Sequence, residues 1–164
     1  MIIYLKNKHT LKVDNFYFKC STGKNGLTKK KIEGDKKTPI GLFKISHLYY
    51  RKDRIKKPKI NLHCIPIKKN MGWCDDLTNK KNYNKLIKVN KNIKHEKLYR
   101  KDTKYDFLIP IKYNFNNAIL GKGSCIFIHL TKNYSTTAGC IALKEKDFLI
   151  MLKILRKNTK IKIS

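Results

Sequence analysis

Two apolar runs joined by a polar loop, SCIFIHLTKNYSTTAGCIAL at residues 124–143, constrain the fold of this chain more than any other stretch. The first run is rich in Ile and Phe, which is typical of a buried strand, and it ends at His129. A polar loop over residues 131–138 follows, and the second run begins after Gly139 and Cys140. The pattern predicts two strands, with a histidine at the end of one and a cysteine at the start of the next. The loop would bring these two ends close together.

A cysteine paired with a histidine is a candidate for nucleophilic catalysis. The thiolate is the reactive form of cysteine, and a neighbouring imidazole can take its proton. Gly139 allows a tight turn before Cys140 and would leave its backbone amide free to approach a substrate oxygen. The alternative is structural, because cysteine often serves as a small buried apolar residue. Spacing alone leaves both interpretations of His129 and Cys140 open.

The rest of the chain predicts many short strands and one helix. Runs of apolar, β-branched and aromatic residues bounded by polar breaks indicate strands at 1–5, 10–13, 16–20, 42–50, 60–67, 105–113 and 159–163. Pro66 favours an edge position for the run at 60–67. After the Gly-Cys segment, Phe148, Leu149, Leu152 and Leu155 follow helical spacing. We therefore expect a mainly β fold with one principal helix, and Asn158 as its stop.

The middle of the chain, residues 68–104, has weak periodicity and many Asn and Lys residues. It predicts a long, irregular insertion with little regular structure, and such segments in compact domains are often functional. Trp73, the one tryptophan, indicates that the insertion is ordered. With 164 residues and 41% hydrophobic content, we expect residues 1–164 to form a single domain.

Cysteine and histidine spacing predicts neither a disulfide framework nor a metal site. The five cysteines are irregularly spaced, odd in number and without a CxxC pair. The group His63, Cys64, Cys74 and His95 matches no usual zinc spacing. No metal and no cofactor are therefore predicted.

The formal net charge of +28 invites a nucleic-acid interpretation, but only four of the 39 basic residues are arginine. The lysines are spread along the chain and accompany many Asn and Ile residues, a bias typical of AT-rich coding sequence. Phosphate and base recognition commonly uses arginine forks. We expect no specific nucleic-acid partner, although attraction to an anionic polymer stays an alternative.

The sequence gives no sign of a membrane segment. No apolar run has the length of a membrane span, and the first residues lack a basic region followed by a long apolar stretch. From the residues alone we expect a cytoplasmic protein, and a monomer.

Several motifs occur in an order that resembles a known family. His129 is followed by Thr137, Ala138, Gly139, Cys140 and Ile141, in the pattern [ST]-x-G-C-[IV]. The segments EGDKKTPIGLF, GWCDD, YN, Glu96, YDFLI, a second YN and GKGSCIFIH occur in family order over nearly the whole chain. The chain is similar to YkuD-type L,D-transpeptidase catalytic domains, and most of all to their small single-domain bacterial branch.

This resemblance implies a β-sandwich fold and a cysteine acyltransferase. The implied substrate is the peptidoglycan stem peptide, cut between diaminopimelate and the terminal D-Ala. The implied nucleophile is Cys140 and the implied base is His129, while backbone amides near Gly139 and Cys140 would hold the oxyanion. The family places the protein at the periplasm or cell wall, in conflict with the cytoplasmic expectation. Many members carry Arg two positions after the cysteine, where this chain has Ala142, so carboxylate contacts of that Arg do not carry over.

Six further residues are candidates for substrate binding. Thr137 could position the loop, and the carboxylates of Asp75, Asp76 and Glu96 could receive the side-chain amine of diaminopimelate. Trp73 and Tyr83 could line a groove, although a core role is equally compatible with the sequence. Three alternative functions stay open: an L,D-carboxypeptidase that uses the same site, a silent binder of wall polymer, and a β-rich nucleic-acid module.

Overall fold

A computed structural model describes residues 1–164, with fifteen β-strands and one α-helix. The strands are β1 (Ile2–Lys6), β2 (Thr10–Val13), β3 (Phe16–Ser21), β4 (Leu27–Thr28), β5 (Thr38–Pro39), β6 (Gly41–Lys44), β7 (Leu48–Tyr50), β8 (Cys64–Pro66), β9 (Met71–Cys74), β10 (Leu86–Lys88), β11 (His95–Lys97), β12 (Phe107–Pro110), β13 (Phe127–Leu130), β14 (Ile141–Leu143) and β15 (Lys160–Ile163). The helix α1 spans Glu145–Ile154.

A curled ten-stranded sheet organises the chain, in the order β6-β15-β1-β2-β3-β14-β13-β12-β7-β8. Strands account for 35% of the residues and helix for 6%, which confirms the prediction of a mainly β fold with one helix. A three-stranded sheet, β10-β9-β11, and a two-stranded pair, β4-β5, complete the structure.

The two faces of the large sheet pack against different parts of the chain. Successive side chains in a strand point to opposite faces, so neighbouring residues join different clusters. In β13, Ile128 and Leu130 join the large core cluster that contains α1 residues, whereas Phe127 joins a second cluster with Trp73. The face that carries Phe127 therefore also carries His129, two residues along. This face is covered by the segment that contains the three-stranded sheet.

Helix α1 forms where the periodic apolar residues predict it. Phe148, Met151 and Leu152 are buried, and the ring of Phe148 stacks on Phe107 with centroids 5.7 Å apart. Acidic residues in the first turn and a lysine in the last turn complement the helix dipole. The helix ends at Ile154, four residues before the predicted stop at Asn158.

The run at 42–50, predicted as one strand, forms two strands at distant positions of the sheet. β6 pairs with β15 at one edge, whereas β7 lies between β12 and β8 near the other edge. The sequence pattern cannot reveal this division into two strands, since both halves of the run have strand composition. The edge position that Pro66 predicts for β8 is confirmed.

The prediction of an irregular insertion at 68–104 is wrong in one respect, because this segment contains the complete three-stranded sheet. Strand β9 is central and pairs antiparallel with β10 and β11. The strands have only three or four residues each, and each flanking strand ends in Lys. Alternation over so few residues gives too weak a signal for a strand prediction.

Helix α1 has ten residues and is not long and apolar enough to span a membrane.

Candidate active site

His129 lies in strand β13 and Cys140 lies immediately before the neighbouring strand β14, near the strand end and the strand start that the sequence predicts. Strands β13 and β14 pair in parallel register, with Ile128 opposite Ile141 and His129 opposite Ala142. Cys140 immediately precedes β14. Both side chains line one cavity of about 600 Å³. They are nearly buried, His129 with 7% and Cys140 with 8% of their surface exposed.

A backbone carbonyl orients the imidazole of His129. Its Nδ1–H donates to the carbonyl oxygen of Leu130 at 2.8 Å. Since a carbonyl can only accept, Nδ1 carries the proton and Nε2 keeps a free lone pair. Burial lowers the pKa of His129 to about 4, so the ring is neutral at neutral pH. A neutral imidazole with an unprotonated Nε2 is the form that a general base requires.

The thiol of Cys140 is held in its neutral form. It donates to the carbonyl oxygen of Cys125 at 3.1 Å, and the backbone N–H of Phe127 donates to its Sγ at 3.4 Å. Burial raises the pKa of Cys140 to about 12. No hydrogen bond joins the thiol to His129, so the resting site is a neutral thiol beside a neutral imidazole rather than an ion pair.

The loop before Cys140 is fixed by Thr137 and Gly139. The Thr137 hydroxyl donates to the carbonyl oxygen of Cys140 at 2.6 Å and accepts from the Gly139 N–H at 3.1 Å. Gly139 has φ of +139°, and a Cβ there would lie 2.9 Å from the Lys37 carbonyl oxygen. A side chain at position 139 would therefore be strained and would clash with backbone.

This geometry corrects the expected role of the Gly139 amide. Its N–H is already donated to Thr137, whereas the N–H of Cys140 makes no hydrogen bond within the chain. The free amide of Cys140 would be the better donor for an oxyanion, because it loses no existing partner.

Trp73 and Tyr83 are buried in the core and do not line the cavity, with 2% and 0% of their surface exposed. The indole N–H of Trp73 donates to Asn84 Oδ1 at 2.9 Å, and the same oxygen accepts from the Cys125 N–H at 3.2 Å. The carbonyl oxygen of Cys125 in turn accepts a hydrogen bond from the thiol of Cys140. Trp73 therefore supports the backbone around the thiol, and a groove-lining role does not fit its burial.

Tyr83 belongs to a second hydrogen-bond network near Cys125. Its hydroxyl donates to the carboxylate of Glu33, which also accepts from Ser124 Oγ at 2.7 Å. This network fixes the segment that precedes Cys125, and burial raises the pKa of Tyr83.

Of the three candidate carboxylates, only Glu96 lines the cavity. Asp76 accepts hydrogen bonds from Thr78 and from the Lys94 N–H, which gives it a local structural role. Asp75 lies 3.8 Å from the Lys94 ammonium, and burial raises the pKa of its carboxyl. Neither aspartate reaches the cavity, so the expectation that they receive a substrate amine does not fit their positions.

One wall of the cavity consists of residues that the sequence analysis did not single out. Tyr105 packs edge-on against the His129 ring with centroids 5.3 Å apart, and the guanidinium of Arg100 lies over Tyr105 at 5.0 Å. Arg100 pairs with Asp102 and Glu96. Because arginine is rare in this chain, its position was the one sequence signal that could have indicated this wall.

The sequence profile of the YkuD family, the L,D-transpeptidase catalytic domain, matches residues 1–163. No curated protein sequence matches the chain closely enough to count as a relative.

Among solved structures, the chain is similar to the helical cell shape determining protein Pgp2 from Campylobacter jejuni, with a TM-score of 0.55 and 18% identity. That match covers 99% of this chain and 46% of Pgp2, so the chain spans about half the length of this neighbour. L,D-transpeptidase 1 from Mycobacterium tuberculosis matches with a TM-score of 0.42 and 13% identity, over 99% of this chain and 57% of that protein. With the family profile matched over all but the final residue, this chain belongs to the YkuD family of L,D-transpeptidase catalytic domains.

Proposed function

We propose that this chain is an L,D-transpeptidase that acts on peptidoglycan stem peptides through a Cys140 thioester. The observation that carries the proposal is the position of His129 in β13 and of Cys140 immediately before the paired strand β14, because both residues line one cavity in a chain of a family that acts on peptidoglycan. The free Nε2 of His129 supports a base, and the free N–H of Cys140 supports an oxyanion donor.

Acylation begins when the substrate carbonyl enters the cavity. His129 Nε2 takes the thiol proton as Cys140 Sγ attacks the carbonyl carbon between diaminopimelate and D-Ala. The N–H of Cys140 stabilises the oxyanion. The C–N bond then breaks, His129 returns the proton to the leaving amine, and D-Ala departs from a thioester.

The acceptor decides the final product. The amine of a second stem peptide attacks the thioester carbon, passes a proton to His129 and regenerates the thiol with a new peptide bond. Water in the place of that amine makes the same site an L,D-carboxypeptidase. Mass spectrometry of the products from a tetrapeptide, with and without an acceptor stem, measures the ratio of the two outcomes.

Intact-mass spectrometry after incubation with a carbapenem tests the nucleophile directly. We expect one covalent adduct per chain, absent in Cys140→Ser and formed much more slowly in His129→Gln. Cys64→Ser is the matched control, because this half-buried thiol lies outside the cavity and its loss should leave the adduct unchanged. No adduct on Cys140 together with no D-Ala release from tetrapeptide would contradict the proposal.

A further inference from the structure

Three of the four arginines converge on one short segment, residues 100–102, at the cavity wall. Arg51 Nη1 donates to the Arg100 carbonyl oxygen. Arg54 donates to the carbonyl oxygens of Lys101 and Asp102, each at 2.9 Å. Two guanidinium groups therefore hold successive carbonyls of a segment that has no regular secondary structure.

Each of the two supporting guanidiniums is itself anchored. Arg51, with 2% of its surface exposed, makes a two-point contact with Asp53 at 2.8 and 2.7 Å and lies 3.6 Å from the centre of the Tyr99 ring. Arg54 pairs with Asp106 at 2.8 Å. Lysine cannot reproduce these planar, forked contacts. In a chain that otherwise uses lysine, arginine is concentrated where the backbone of this segment must be rigid.

The held segment presents the side chain of Arg100 to the cavity. Its Nε and Nη2 donate to the carboxylate of Asp102 at 2.9 and 2.7 Å, and its Nη1 donates to Glu96 at 3.0 Å. The plane of the group rests over Tyr105, which contacts His129. A guanidinium has five N–H donors, so two stay free. Asp102 and Glu96 fix the group and raise the pKa of Arg100, so it stays charged.

The cavity carries an excess of positive charge. Its two carboxylates, Glu96 and Asp102, are both paired with Arg100, whereas Lys101, Lys104 and Lys132 also line it and make no ion pair. Ala142, opposite His129 in the register, adds no charge. Such a cavity favours an anionic ligand. The lysines are exposed point charges on flexible stems, so Arg100 is the one cation there with a fixed direction.

We propose that Arg100 binds the C-terminal carboxylate of the peptide substrate and selects peptides that end in a free acid. This inference rests on the proposed function, since it assigns one contact of the same reaction. The two free N–H groups of Arg100 donate to the carboxylate, and Glu96 and Asp102 hold the guanidinium in place. Glu96 is then a positioning residue and not the receptor of a substrate amine.

Two peptides of identical sequence test the contact, one with a terminal D-Ala carboxylate and one with a terminal D-Ala carboxamide. A charge-assisted contact predicts that the wild-type protein prefers the acid on the order of 10- to 100-fold in kcat/KM. In Arg100→Gln we expect kcat/KM for the acid to fall to about the level of the amide. The kcat/KM for the carboxamide peptide should change little in this variant.

Control variants separate this role from a structural one. Arg156→Gln removes the one arginine outside the cluster and should leave the preference intact. Arg100→Lys should recover only part of the preference, because lysine lacks the fork. An equal loss for both peptides in Arg100→Gln, or a shifted pH profile with an unchanged preference, would mean that Arg100 acts only through Tyr105 and His129 and would overturn the inference.

A binding measurement keeps the inference testable without turnover. In Cys140→Ala, calorimetry should give tighter binding of the acid peptide than of the amide, and the additional Arg100→Gln change should remove that difference. Equal binding of both peptides in Cys140→Ala overturns the inference. Failure of the wild-type protein to release D-Ala, with the binding difference intact, instead overturns the proposed reaction and leaves the carboxylate site standing.

Discussion

Replacing His129 by Gln should remove a large part of the acid sensitivity of this protein. The imidazole is buried and donates to the Leu130 carbonyl, and burial lowers its pKa from 6.5 to about 4. Between these two pH values the unfolded chain binds a proton at this position and the folded chain does not. The free energy of unfolding therefore falls as the pH drops from 6.5 to 4, and this loss is absent above 6.5.

The magnitude follows from the shift. Each pKa unit corresponds to roughly 1.4 kcal/mol, so a shift from 6.5 to about 4 makes the folded state less stable by about 3 kcal/mol at pH 4 than at pH 7. Gln is neutral at every pH and similar in size. The difference in unfolding free energy between wild type and His129→Gln should therefore change by about 3 kcal/mol across this range.

Urea unfolding at half-unit pH intervals from 4 to 7.5, followed by tryptophan fluorescence, gives the two stability curves. The signal is suitable because Trp73 is buried in the same cluster as Cys140. Taking the difference between the curves cancels the contribution of aspartates with lowered pKa that are not coupled to His129, such as Asp53 and Asp76, which also lose stability in acid. Parallel curves for the two proteins would refute the claim that His129 is held neutral by burial.

Two further predictions concern the loop before the nucleophile. Gly139→Ala should lower the free energy of unfolding by roughly 1–3 kcal/mol and slow carbapenem acylation, because its Cβ meets the Lys37 carbonyl at a strained φ. Gly34→Ala is the control, since Gly34 has φ of +78° but open space around it; an equal cost in both variants would contradict the clash. Thr137→Val should cost roughly 1–3 kcal/mol in urea unfolding, because it leaves the Gly139 N–H without a partner, whereas Thr137→Ser should keep both contacts. Equal stability of the Val and Ser variants would contradict that role.

The sequence predicts best those parts of the fold in which neighbouring residues decide the structure. The first three strands and the last one match their predicted runs within a residue or two, because more buried and less buried positions alternate over most of their length. Helix α1 is predicted by its apolar spacing. The division of 42–50 and the small sheet within 68–104 depend on pairing with distant strands, which no local pattern records.

The same distinction applies to the candidate site. A strand end and a strand start predict that His129 and Cys140 lie close together, and in the structure His129 lies in β13 and Cys140 immediately precedes the paired strand β14. The hydrogen-bond partners of the His129 ring and the Cys140 thiol are backbone carbonyls, those of Leu130 and Cys125, and the candidate oxyanion donor is the backbone N–H of Cys140. Every residue has these backbone groups, so the sequence does not reveal which of them will lie at the site. The occupied amide of Gly139 is a further consequence of loop geometry that spacing cannot show.

The neutral forms of Cys140 and His129 bear on the timing of proton transfer in the proposed reaction. Burial opposes both charged forms, since it raises the pKa of Cys140 and lowers that of His129. Transfer of the proton before substrate binds would create two buried charges without solvation, which is strongly unfavourable. In the proposed reaction, transfer during attack places the negative charge on the substrate oxygen instead, where the Cys140 N–H can donate to it. The proposal therefore predicts that the thiol, which donates to the Cys125 carbonyl, stays unreactive until a carbonyl substrate enters the cavity.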